Sequence, residues 1–109
     1  MAKLKLLELR CRSSEDSGGD EAYLTINGNK VWTTDNISAG ETASLRSVPI
    51  VNFDKKAVIA LWDEDSGLFD SDDNLGKFVV SDKEAGQDER DFNFKTDGAD
   101  YLLIYKVEK

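Results

Sequence analysis

Residues 57–80 read AVIALWDEDSGLFDSDDNLGKFVV, and the alternation of chemistry along them decides the fold. Residues 57–62 are short, apolar on both sides and partly β-branched, the pattern of a strand in the middle of a sheet. Residues 76–80, GKFVV, read as a returning strand. Between them, positions 63–73 hold six carboxylates (Asp63, Glu64, Asp65, Asp70, Asp72 and Asp73) in eleven residues without one basic side chain. Two carboxylates about 4 Å apart repel by about 1 kcal/mol at the dielectric of water, and by more near a protein surface. A loop held between two strands cannot spread that charge as a tail would. A hard divalent cation taking six to eight oxygen ligands would offset it, and calcium, with its flexible geometry, suits an irregular loop better than magnesium.

The rest of the chain extends the strand pattern outward. Residues 3–12 form a first strand whose alternation slips between Leu6 and Leu7, which predicts a bulge or burial on both faces. A second acidic stretch follows, with Glu15, Asp16, Asp20 and Glu21 inside a Ser- and Gly-rich loop. Tyr23 to Ile26 and Val31 to Thr33 flank Asn27-Gly28, the dipeptide that best supplies positive φ at both centres of a type I′ hairpin turn. A strand is expected at 42–48, with Asn52 and Asp54 turning the chain into residues 57–62. Ser81 with Glu84 three positions on is a capping box for one short helical turn near 81–85, ended by Gly86. RDFNFK (90–95) and ADYLLIYKV (99–107) are the last strands, joined at Thr96-Asp97-Gly98. Trp32 and Trp62 are read as core aromatics. Short strands at roughly ten-residue spacing predict an all-β fold, an antiparallel seven- to eight-stranded β-sandwich filling residues 1–109 as a single domain. On this count residues 57–62 are the fifth strand and run parallel in space to the first, so the two acidic loops leave from the same end.

Composition excludes several functions. The chain has 109 residues, a net charge of −8, no histidine and one cysteine, Cys11. Nucleic acid binding needs a basic face, which this charge balance opposes. Without histidine the usual general base and zinc ligand are missing, so no enzyme is expected. A carboxylate-only glycoside hydrolase is conceivable in chemistry, but a domain of this size leaves little room for its cleft. Cys11 sits in an apolar strand and reads as a small core residue. The first residues do not read as a signal peptide and no apolar run reaches membrane-spanning length, so a cytoplasmic home is expected if the chain is full length. An EF-hand loop started at Asp70 would place Leu75 where glycine is required and Ser81 where the bidentate glutamate belongs.

Strand phase sorts the loop carboxylates. At the end of a strand Asp63 and Asp65 point one way and Glu64 the other. Asp73 precedes the next strand and can close a site from the far side, while Asp70 and Asp72 are left open.

The stretch ALWDEDSGLFDSDDNLGKF resembles the third calcium-binding loop of C2 domains. Trp62-Asp63-Glu64-Asp65 and Asp73-Asn74-Leu75-Gly76 match its pattern, with a loop longer by about two residues. DEAYLTING resembles the Asp-Pro-Tyr-Val element after the first calcium loop, with Ala22 in the place of proline and Asp20 or Glu21 in that of aspartate. The segment around DEAYLTINGNKVW is also similar to small bacterial C2-like sandwich domains. This resemblance implies a calcium site built from Asp16, Asp20, Asp63, Asp65, Asp70 and Asp73, with Glu21 and Asp72 in reserve. Leu68 and Phe69, two large apolar residues at the loop tip, have two readings: a membrane-inserting wedge like that of C2-like domains, through which calcium would drive attachment to anionic phospholipid, or a plug folded back onto the sandwich edge. The family's lysine-rich strand is missing: Lys3, Lys5, Lys30, Lys55 and Lys56 are scattered in sequence. The expected function is a calcium-binding, non-enzymatic module; the alternative is a metal-independent interaction or structural sandwich whose acidic end meets a protein partner.

Overall fold

In a computed structural model, which describes residues 1–64, 72–96 and 98–109, two antiparallel sheets pack face to face. The first sheet places β1 (Ala2–Ser13) between β9 (Ala99–Glu108) and an edge made of β4 (Thr42–Ser44) and β5 (Val51–Phe53), with β8 (Arg90–Thr96) beyond β9. The second has the order β3 (Asn29–Thr33), β2 (Ala22–Ile26), β6 (Lys56–Asp63), β7 (Asp73–Ser81). Among the described residues the only helical element is a 3-10 turn, Asp82–Glu84, and no helix is long and apolar enough to cross a membrane.

Among the described residues nine strands stand where seven or eight were expected. The strand read at 42–48 keeps only Thr42–Ser44, and Val51–Phe53 forms a further strand where Asn52 was expected to turn the chain, because it pairs with the start of β1. β4 pairs with Glu8 to Arg10 and β5 with Ala2 to Leu4, so both lie along the same edge of β1 and both run antiparallel to it. Leu45 leaves that edge to be fully buried, and its N–H donates to the Leu7 carbonyl at 2.9 Å. Because β4 and β5 run the same way, the additional strand adds no reversal of direction. The count that put both acidic loops at one end therefore holds, with residues 57–62 lying in β6.

Other local signals meet their structures directly. The β1–β9 register jumps from Leu6–Tyr105 to Glu8–Ile104, so Leu7 is the bulged residue, and it is buried. Asn27 and Gly28 both have positive φ, 51° and 85°, as a type I′ turn requires. Ser81 caps the 3-10 turn, accepting from the Lys83 N–H, while Glu84 accepts from the Ser81 N–H at 2.8 Å. The last hairpin turn includes Asp97, outside the described residues.

Alternation along β6 sends Ala57, Ile59 and Leu61 into the core, where they meet Leu4, Leu9, Leu24, Tyr101 and Leu103. Phe78, Phe92, Phe94 and Tyr105 stack and cross one another where β7 faces β8, closing one side of the sandwich. Trp62 departs from expectation. It falls in the outward phase of β6, stacks on Tyr23 with ring centroids 6.1 Å apart, and donates its Nε1–H to Thr25 Oγ1 at 3.1 Å. Asp63 follows in the inward phase, so the core row of β6 ends in a carboxylate.

Candidate metal centre

Asp63 is held at the mouth of the sandwich by pairing on both sides, opposite Ala22 of β2 and Asp73 of β7. The Glu64 N–H donates to the Glu21 carbonyl at 2.8 Å, and the Glu21 N–H returns a bond to Asp63 Oδ1 at 3.1 Å. The start of β2 and the end of β6 are thereby locked together. Asp63 is only 1% exposed, yet its second oxygen, Oδ2, is buried and has no hydrogen-bond donor. Such an atom forfeits its hydration without replacement, and it is the one buried side-chain polar atom left so among the described residues.

The loop after β1 brings two further carboxylates to it. One oxygen each from Glu15, Asp16 and Asp63 lie within 4.8 Å of one another. Oxygens that share a calcium ion at 2.3–2.6 Å lie no more than about 5.2 Å apart, so this spacing suits that ion. The cluster repels itself. Burial and then the neighbouring Asp16 and Asp20 push the Asp63 carboxyl up to about 7. Burial, then Asp73 and Asp63, push Glu15 up to about 8. Asp73 is exposed and stands beside Glu15 at the rim.

Asp20 is placed differently. It is 1% exposed, and its carboxylate is taken up by the Glu15 N–H and Asp16 N–H, both at 2.9 Å, and by the Tyr101 hydroxyl at 2.5 Å. Glu21 is exposed, and Glu64 turns outward toward Lys30, 3.8 Å away. Asp72 Oδ2 accepts from the Tyr23 hydroxyl, whose pKa is raised to about 12 by burial and by that carboxylate. Asp65, Asp70, Leu68 and Phe69, all named from sequence, lie outside the described residues. Sequence reasoning passed over Glu15. The loop pattern singles out its neighbour Asp16, and the buried Asp20 carboxylate grips the amides of both.

No family model matches this sequence, and no curated relative does. Solved structures do resemble it. The two-domain C2A–C2B structure of Extended-Synaptotagmin 2 superposes with a TM-score of 0.65 at 20% identity over 98% of this chain, which spans 39% of that protein. A structure described as a C2 domain gives a TM-score of 0.59 at 19% identity, with both chains fully covered. Human GIVD cytosolic phospholipase A2, in complex with an inhibitor and terbium chloride, gives 0.54 at 17% identity over 98% of this chain and 16% of its own. Identities this low speak to architecture alone, and with the two four-position sheets described above they establish it: the chain is a C2-like antiparallel β-sandwich.

Proposed function

We propose that this protein is a calcium-binding, non-enzymatic module, with Glu15, Asp16 and Asp63 at the heart of its site and Asp73 on the rim. The observation that carries this reading is Asp63 Oδ2, a buried oxygen without a donor beside two more carboxylates. Lys30 lies over the Tyr23 ring and beside Glu64 on the outer face, and burial with Asp16 and Asp20 raises the Asp63 pKa. The donor set is oxygen only, which suits a hard cation and disfavours zinc or copper. Asp65 and Asp70 complete the proposed set from the neighbouring loop. A bound ion would supply positive charge at the acidic end, and the side chains of this chain would hold it there.

Attachment to phospholipid is the second part of the proposal. With net charge −8 the metal-free chain is repelled by an anionic surface. Offsetting the charge of the acidic end would remove that barrier, and Leu68 and Phe69 are the candidate contacts. Their burial would add about 3–5 kcal/mol at most, enough for weak attachment only.

Calorimetric titration with calcium tests the first part. Saturable heat with calcium and much less with magnesium is expected, because magnesium dehydrates reluctantly and demands octahedral geometry. A chain that takes up no calcium at millimolar concentration would leave the interaction-module alternative in its place. Co-sedimentation with phosphatidylserine vesicles, with and without calcium and then with Leu68→Ser/Phe69→Ser, tests the second.

A further inference from the structure

We infer that Asp20 and Tyr101 form a positioning pair that presets the loop of Glu15 and Asp16, and that Asp20 is not itself a ligand. The inference rests on the proposed calcium site but concerns what builds it. Asp20 is fixed through its backbone as well as its side chain: its N–H donates to the Ile37 carbonyl and its carbonyl accepts from the Ile37 N–H, each at 2.9 Å. Its carboxylate then reaches back along the chain. Oδ1 accepts from the Asp16 N–H and Oδ2 from the Glu15 N–H, so one carboxylate clamps two consecutive amides. Hydrogen bonds to an ionised acceptor are the strong ones.

Tyr101 supplies the third donor, and from a rigid place. It lies in the inward row of β9, is fully buried, and sends its hydroxyl to Oδ2 at 2.5 Å. Burial and the adjoining Asp20 carboxylate raise its pKa, so the hydroxyl remains a donor throughout the working pH range. The order of the first sheet is thereby passed to the Glu15–Asp16 end of a loop whose far end is held by Asn36 and Ser38 at the Gly18 carbonyl. Asp20 and Asp63 are equally buried, but Asp63 keeps an oxygen without a donor whereas both oxygens of Asp20 are already taken, by three donors in all. Glu15 and Asp16, whose amides it holds, have their side chains free to converge on Asp63.

Tyr101→Phe separates the two roles, because the ring that fills the core is kept and only the hydroxyl is lost. Two measurements are made on the whole chain: amide hydrogen exchange at Glu15 and Asp16 in calcium-free buffer, and calcium affinity by calorimetry. Loss of one hydrogen bond to a charged group is expected to lower protection of both amides by about tenfold and calcium affinity by a similar factor, with the fold intact. If Asp20 were a ligand, Tyr101→Phe would free Oδ2 and affinity would rise, which overturns the inference. Unchanged protection of Glu15 and Asp16 overturns it as well. Asp20→Asn is the second variant. An amide keeps one acceptor and sets a donor against the other N–H, so exchange at one of the two residues should rise while the other stays slow. A parent chain that takes up no calcium would defeat the proposed function alone, and the exchange data would still decide whether this pair presets the loop.

Discussion

At the scale of single residues, the inward phase of β6 turns a core position into an acidic one, and Asp63 carries the consequence. Asp63→Asn keeps an acceptor for the Glu21 N–H and turns the orphaned oxygen into a donor facing Glu15 and Asp16. Calcium affinity is expected to fall about 10- to 100-fold, the weight of one charged contact, while the calcium-free fold gains about 1 kcal/mol. Glu64→Gln is the control, since Glu64 faces Lys30 on the outer side, and calorimetry should find its affinity within about twofold of the parent. Equal damage from both variants would mean that the site does not follow the strand phase. Glu15→Gln should weaken binding as Asp63→Asn does, and it checks the proposed ligand that the loop pattern does not single out. Strand phase is visible in sequence, which is why Asp63 and Glu64 could be told apart there. Loop residues have no such period. Whether Asp16, Asp20 or Glu15 faces the cluster depends on the Tyr101 hydroxyl from the other end of the chain, and no local pattern encodes that.

At the scale of elements, the parts of the fold that were legible are those fixed by short-range chemistry: the Asn27-Gly28 turn, the slip at Leu7 and the Ser81 capping box. The break at 45–50 was not, because Leu45 looks like one more strand residue and is drawn inward by the core rather than by its neighbours. Trp62 was misread for the opposite reason. Its size suggested the core, whereas its phase put it on the outer face with Tyr23. Gly76 shows how one position can join both kinds of constraint. It sits at the β6–β7 irregularity between Leu61 and Trp62, has a φ of 133°, and a Cβ there would stand 3.0 Å from Cδ1 of the buried Phe94. Gly76→Ala therefore meets backbone strain and a crowded ring together, and chemical denaturation should show a loss of about 1–3 kcal/mol. A variant as stable as the parent would mean that β7 can move away from β8 without cost.

At the scale of the whole molecule, the question is what calcium and protons do to the same carboxylates. The folded, metal-free chain binds protons at Asp63 and Glu15 more tightly than the unfolded chain, with values raised to about 7 and about 8. Unfolded carboxyls titrate near 4. Stability from these groups is therefore fully present below about pH 4 and is lost as pH rises through 7 to 8, where the folded state must give the protons up. Calcium at the proposed site would take the deprotonated groups, so ion and protons would compete, and binding near neutrality should release protons. At 100 times its dissociation constant an ion that binds only the native state adds about 2.7 kcal/mol. For a domain of this length that raises the melting temperature by about 10–20 °C. The increase should be largest near pH 8.5 and shrink toward pH 5.5, because at low pH the protons already relieve the repulsion and the ion must displace them. Thermal melts of calcium-stripped and calcium-loaded protein across that range check the sign. The stripped chain should melt higher as pH falls from 8.5 to 5.5, and the two curves should converge. An increase independent of pH would place the ion on carboxylates other than Asp63 and Glu15.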